Sequence, residues 1–293
     1  MIYIPKIADE ANDFWTSLIQ GAQMAAEDYG VKLELYAPDS ETNYEMQNEY
    51  LMEAIKKHPD AILISPSNYT GNNTFLEKVK EEGIHLVFID SEVSEEIQEL
   101  TVATDNVDMG RQLGEFACSF LKEDSQIVMV GHVQNSSTAI EREKGIRKGL
   151  GAFEENVLET VFCGSKFSVA YEQTCELLKK YPELTMVIGM NEYSAVGAAR
   201  AVRDMKRGNQ VVVLGIDSSL EMIELMEAGI FRGVVIQKPF NMGYLGVEET
   251  VKLLEGKRKS GTYINSGTKL ITINDIYTEE NQKLLFPFVG NQQ

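Results

Sequence analysis

The chain has 293 residues, 43% hydrophobic and 25% charged, with 45 Asp and Glu against 27 Lys and Arg for a formal net charge of −18. That excess of acid repels phosphate backbones and anionic lipid, which argues against nucleic acid as a direct partner. No apolar run approaches the roughly 20 residues that a membrane-crossing helix needs, and the length is more than one hydrophobic core usually serves, so two lobes are expected.

From the N-terminus, short β-branched or aromatic runs alternate with longer segments of helical period. The spacing predicts strands at "MIYIPKI" (1–7), "VKLELYA" (31–37), "AILIS" (61–65), "HLVFI" (85–89), "QIVMVG" (126–131), "VLETVFC" (157–163), "TMVIGM" (185–190), "VVVLGI" (211–216) and "GVVIQ" (233–237). Helical segments lie between them. In 107–121, for example, Leu113, Phe116, Ala117 and Phe120 recur three and four apart and mark one buried face. Strand–helix–strand repetition needs crossover connections, so the fold class is α/β, with parallel sheets carrying helices on both faces.

The pattern also repeats internally: "HLVFIDSEV" (85–93) and "VVVLGIDSSL" (211–220) are both apolar strands ending in Ile-Asp-Ser. Two similar lobes joined by a multi-strand hinge are therefore expected. Residues 1–106 plus about 238–270 form the N-terminal lobe, 107–237 plus about 271–293 the C-terminal lobe, and a ligand cleft separates them.

Ligands of open parallel sheets sit outside the carboxyl ends of the strands, where loops and helix N-termini converge. Those ends hold Asn12, Asp13, Phe14 and Trp15 after the first strand, then Ser65, Asp90, His132, Asn191, Asp217 and, in the ninth strand, Gln237. Asp90 and Asp217 each follow a run of apolar residues, so each is either a helix N-cap or an acceptor for a ligand's vicinal hydroxyls. Arg142, near the start of the helical stretch 137–150, is either a solvated charge paired with Glu141 or Glu143 or a planar donor aimed at a ligand. Asn191 allows the same two readings, cap or contact. Trp15, the only tryptophan, is either core or a plate for the apolar face of a sugar ring, with Phe14 beside it and Phe167 as an opposing plate. Cys118, Cys163 and Cys175 have no metal-binding spacing, the three histidines are far apart in sequence, and neither GxGxxG nor GxxxxGK[ST] occurs, so no metal or cofactor is expected.

Seven segments in order, "NDFW", "FIDS", "TDNVDMG", "EREKG", "GMNEYSAVGAARAV", "VLGIDSS" and "GVVIQKPFNMGYLGVE", resemble the type I periplasmic sugar-binding proteins of ABC transporters and the related ligand-sensing domains of LacI-type repressors. The resemblance implies aromatic stacking by Phe14 and Trp15, polar ligand contacts from Asn12, Asp13, Asp90, Arg142, Asn191, Asp217 and Gln237, and a second-lobe aromatic at Phe167. Ser91 stands where the ribose binders often carry Arg. The tail "INDIYTEENQKLLFPFV" is similar to a Gram-positive branch whose members are membrane-tethered lipoproteins or feed two-component sensors.

The expected protein is a monomeric, extracytoplasmic binder of a small neutral sugar, with its leader outside this sequence and an ABC transporter permease or a sensor kinase as partner. The alternative is the sensor core of a LacI-type regulator without its DNA-reading headpiece. An enzyme such as a glycosidase would need two carboxylates flanking one bond. Asp90 and Asp217 meet that by type, but the many uncharged partners suit holding, so no catalytic residue is expected.

Overall fold

The computed structural model describes residues 1–285. In chain order the elements are β1 (Ile2–Ile4), α1 (Asp13–Asp28), β2 (Glu34–Leu35), α2 (Tyr44–Lys56), β3 (Ala61–Ile64), α3 (Asn73–Glu81), β4 (His85–Asp90), β5 (Leu100–Ala103) and α4 (Asn106–Ala117). There follow β6 (Ile127–Gly131), α5 (Ser137–Leu150), β7 (Val157–Phe162), α6 (Phe167–Lys180), β8 (Met186–Gly189), α7 (Glu192–Asp204), β9 (Val212–Ile216) and α8 (Leu220–Glu227). The chain then runs through β10 (Phe231–Ile236), α9 (Pro239–Leu254), β11 (Thr262–Asn265), β12 (Lys269–Ile271) and α10 (Glu279–Leu285).

Two compact units result. Unit 1 comprises Met1–Asp105, Asn135–Ile140 and Lys238–Gly267; unit 2 comprises Asn106–Gln134, Glu141–Gln237 and the chain from Thr268 on. The sheet of unit 1 runs β2-β1-β3-β4-β5-β11 with every neighbour parallel. That of unit 2 runs β7-β6-β8-β9-β10-β12, parallel except for the antiparallel pairing of β12 with β10. The two orders are the same, so β4 and β9 occupy equivalent places. Central strands such as "AILI" and "IVMVG" are buried at every residue, as expected of parallel sheets covered on both faces.

Helix pairs within each unit pack backbone to backbone through glycine. In unit 1, a Cβ on Gly243 of α9 would lie 1.9 Å from the Leu18 carbonyl oxygen of α1, and one on Gly21 would lie 2.0 Å from that of Phe240. In unit 2, Gly110 and Gly114 of α4 face Gly145 and Gly149 of α5. Cβ atoms there would come within 2.2–2.3 Å of the carbonyl oxygens of Arg142, Ile146, Val107 and Arg111.

The predicted strands all form, but β1 and β2 keep only Ile2–Ile4 of 1–7 and Glu34–Leu35 of 31–37, while the others differ from the predicted spans by a residue or two at their ends. The strand β5, which lies just ahead of the expected boundary at 106–107, was not among those predicted. The edge strand β11 was not anticipated, because its residues are only half-buried or exposed and carry no apolar alternation to register. A further strand, β12, pairs with β10, and the last crossing falls between Gly267 and Thr268 rather than near 270. Residues 135–140, expected in the second lobe, belong to unit 1. There the Tyr69 N–H donates to the Asn135 oxygen at 2.7 Å and the Glu92 N–H to Ser137 Oγ at 3.0 Å. Residues 286–293 of the expected C-terminal lobe lie outside the described residues.

Substituting Gly114→Ala forces backbone apart. It is expected to lower unfolding free energy by about 1–3 kcal/mol or more, read as a shift of the urea midpoint at constant slope. Gly208→Ala, whose Cβ would meet only the far end of the Ile230 side chain at 2.9 Å, is expected to cost much less.

Candidate functional site

In unit 1 the polar residues gather where β1, β2 and β4 end. Asn12 caps α1, its Oδ1 accepting the Trp15 N–H at 3.0 Å. The cap uses only the oxygen and leaves the carboxamide NH2 without a hydrogen-bond partner among the described residues. Asp13 is exposed in the first turn, where its charge complements the helix dipole. Phe14 and Trp15 are buried and meet edge to face, with ring centroids 5.1 Å apart. The Trp15 indole Nε1–H donates to Glu41 Oε1 at 2.5 Å, and Lys6 Nζ stands 5.9 Å from the ring centroid.

Asp90 closes β4 with φ of 72°, a left-handed conformation that Asp tolerates better than most residues but that still stores strain. Its Oδ2 accepts from Lys6 Nζ at 2.9 Å, both side chains being almost wholly buried. Oδ1 has no protein donor among the described residues. Beneath them the Tyr3 hydroxyl bonds Ser65 Oγ at 2.9 Å, and burial pushes its pKa far above the ordinary phenol value, so it stays protonated. Ser91, also buried, donates its hydroxyl to the Pro66 oxygen at 3.0 Å.

In unit 2, Asp217 follows β9 with φ of 78° and so repeats the backbone of Asp90. Its Oδ2 accepts the Glu192 N–H at 3.0 Å and its Oδ1 accepts from Gln237 Nε2 at 2.6 Å. Asn191 is the N-cap of α7: its Oδ1 takes the Ser194 N–H at 3.0 Å, and Ser194 Oγ receives the Asn191 N–H at 3.0 Å. Here too the carboxamide NH2 is not consumed by the cap.

Arg142 is 3% exposed and pairs with neither Glu141 nor Glu143, so the solvated-charge reading fails. Its Nε donates to Asn106 Oδ1 at 2.9 Å and its Nη1 to the Met190 oxygen at 2.8 Å. Nη2 has no acceptor among the described residues. The glycine contact between α4 and α5 makes this geometry reachable, because Gly110 lies directly against the Arg142 carbonyl and Asn106 sits one turn before it.

Phe167 begins α6 half-buried, its ring 4.7 Å from that of Tyr193 and 5.3 Å from the Arg200 guanidinium. Both of these partners belong to α7. His132 is buried after β6, its carbonyl accepting the Gly164 N–H at 2.7 Å.

Sequence reasoning missed Lys6, Glu41, Asn106 and Glu192. Lys6, a lone cation at the close of the apolar run "MIYIPKI", gave a usable signal. Glu41, in the polar loop "PDSETN", gave none. Among the described residues no His, Cys, Asp or Glu cluster could hold a metal, no disulfide joins the cysteines, and no helix is long and apolar enough to cross a membrane.

Residues 4–258 match the family model described as a periplasmic binding protein domain. The chain belongs to this family. It is 26% identical over 267 residues to the ribose import binding protein RbsB of Bacillus subtilis (strain 168), covering 89% of this chain and 84% of that one. A crystal structure described as a sugar transporter from Clostridium phytofermentans is 42% identical with a TM-score of 0.88, covering 93% of this chain and 98% of that one. A carbohydrate transporter solute-binding protein of Agrobacterium radiobacter, solved with D-arabinose, shares the fold at a TM-score of 0.90 and 22% identity, over 97% of each chain.

Removing one partner of a buried ion pair strands the other. Lys6→Met is expected to destabilise the protein by about 3–5 kcal/mol in urea unfolding. Adding Asp90→Asn, which removes the orphaned charge and keeps a residue tolerant of the left-handed backbone, should recover part of that loss. Equal midpoints for the single and double variants would show that the pair does not act as a unit.

Proposed function

We propose that this protein is an extracytoplasmic solute-binding protein that holds one small neutral sugar, a monosaccharide, with strand-end side chains from both units and delivers it to an ABC transporter permease. The observation that carries this reading is the half-used hydrogen-bonding capacity at those ends. Asn12, Asn191 and Arg142 are each fixed by internal bonds and retain donors. Asp90 is fixed through one oxygen and retains the other as acceptor. A hydroxyl both donates and accepts, so a ring bearing several hydroxyls matches such a mixed set.

Charge supports a neutral ligand, since Lys6 offsets Asp90 and the unit 2 ends carry a buried cation, Arg142, as well as Asp217. The names of the relatives agree: ribose for the B. subtilis protein and D-arabinose for the Agrobacterium complex. In this reading the protein acts as a monomer, is held outside the cytoplasm by a leader or lipid anchor, and carries out no chemical step.

Calorimetric titration with D-ribose, D-allose, D-arabinose and D-fucose tests the proposal, and at least one is expected to bind with 1:1 stoichiometry. Asp217→Asn and Trp15→Ala should each weaken that sugar by roughly tenfold to hundredfold, the worth of one charge-assisted hydrogen bond or one stacked ring. Undiminished affinity in either variant would remove that residue from the site, and no heat with any monosaccharide would refute the reading.

A further inference from the structure

Trp15 sits in the first turn of α1, yet its indole is anchored from a different element. The Nε1–H donates at 2.5 Å to Glu41, which lies in the loop between β2 and α2 and is 4% exposed. We propose that Glu41 is a positioning residue for the sugar site, a buried anionic acceptor that sets the plane of Trp15 and enriches its ring; this rests on the sugar-binding reading above.

An indole can rotate about its Cβ–Cγ bond between two broad orientations that differ by a half turn. Only one of them directs Nε1 to Glu41. A charge-assisted bond in buried surroundings is among the strongest that a neutral N–H can make, and it selects that orientation before any ligand arrives. Phe14, edge-on at 5.1 Å, limits the remaining motion.

The bond also acts through the ring's electrons. A carboxylate at the N–H end pushes density into the indole and strengthens the negative face that receives the C–H face of a sugar. Lys6, 5.9 Å from the ring centroid, draws on the ring's electrons as a cation, so Glu41 and Lys6 bias the plate in opposite senses. Glu41 therefore works through Trp15 and needs no contact with ligand.

Because Trp15 is the only tryptophan, its fluorescence reports this one site. On excitation, indole electron density moves from the pyrrole toward the benzene ring. A negative charge beside Nε1 stabilises that state and shifts emission to the red. Ligand-free Glu41→Gln is expected to emit several nanometres to the blue of the parent. It should bind the sugar identified by titration within a few-fold, since its amide oxygen still accepts the N–H. Glu41→Ala should lose about tenfold or more in affinity. In a Trp15→Phe background, where no N–H exists, Glu41→Ala should cause no further loss.

Unshifted emission in Glu41→Gln would overturn the inference, as would the same affinity loss from Glu41→Ala in the Trp15→Phe background. The emission measurement needs neither sugar nor the alanine variant. It still decides whether Glu41 acts as an anion on the indole if that variant misfolds, or if the sugar-binding reading itself fails.

Discussion

A strand buried on both faces of a parallel sheet can place polar chemistry only at its ends, and both units are organised by that constraint. β4 and β9 occupy equivalent positions, and each ends on an aspartate in left-handed backbone. The strain is tolerable for Asp, and the turn ends an apolar strand on a carboxylate. The two aspartates then solve the same electrostatic problem differently. Asp90 takes an ammonium, Lys6, whereas Asp217 takes a backbone N–H at the start of α7 and the amide of Gln237. Neither buried charge is left without a partner, which is the condition for its being there.

The side chains around these aspartates are held by local structure rather than by loops alone. Asn12 and Asn191 are helix N-caps first and candidate ligand donors second, and the two roles use different atoms of one carboxamide. The sequence left cap and contact as alternatives, and the side chain need not choose between them. Arg142 depends on a longer chain of causes. Four glycines let α4 and α5 approach until backbone meets backbone, and that distance places Asn106 within reach of Nε. A helix pair spaced by ordinary side chains would stand farther apart and leave the guanidinium without its anchor.

Much of the architecture was legible because hydrophobic period is a local property. Every apolar run from "IYI" to "GVVI" became a strand, and the repeated Ile-Asp-Ser ending announced two equivalent sheets. Edge strand β11 was not legible, because an edge with half-exposed residues obeys neither the buried nor the amphipathic pattern. At the site, single residues after apolar strands were visible for the same reason that the strands were. Glu41 was not, since a glutamate in a polar loop looks the same whether it is solvated or buried against an indole 26 residues away. Phe167 was visible from its place after β7, but the packing of its ring against Tyr193 and Arg200 of the neighbouring helix was not, because contacts between helices leave no local pattern.

The charge balance of these ends also narrows what they can hold. At the unit 1 ends an anion would come up against the buried carboxylates Asp90 and Glu41 and a cation against Lys6; at the unit 2 ends an anion would meet Asp217 and Glu192 and a cation Arg142. In surroundings of low polarity either mismatch is expensive, because a buried charge without a counter-charge loses its hydration and gains little in return. A neutral ligand avoids both, and a hydroxylated one can also turn each O–H toward whichever group faces it, donor or acceptor. The acidic exterior therefore says little about a ligand at these ends, since each set holds one cation beside its two carboxylates.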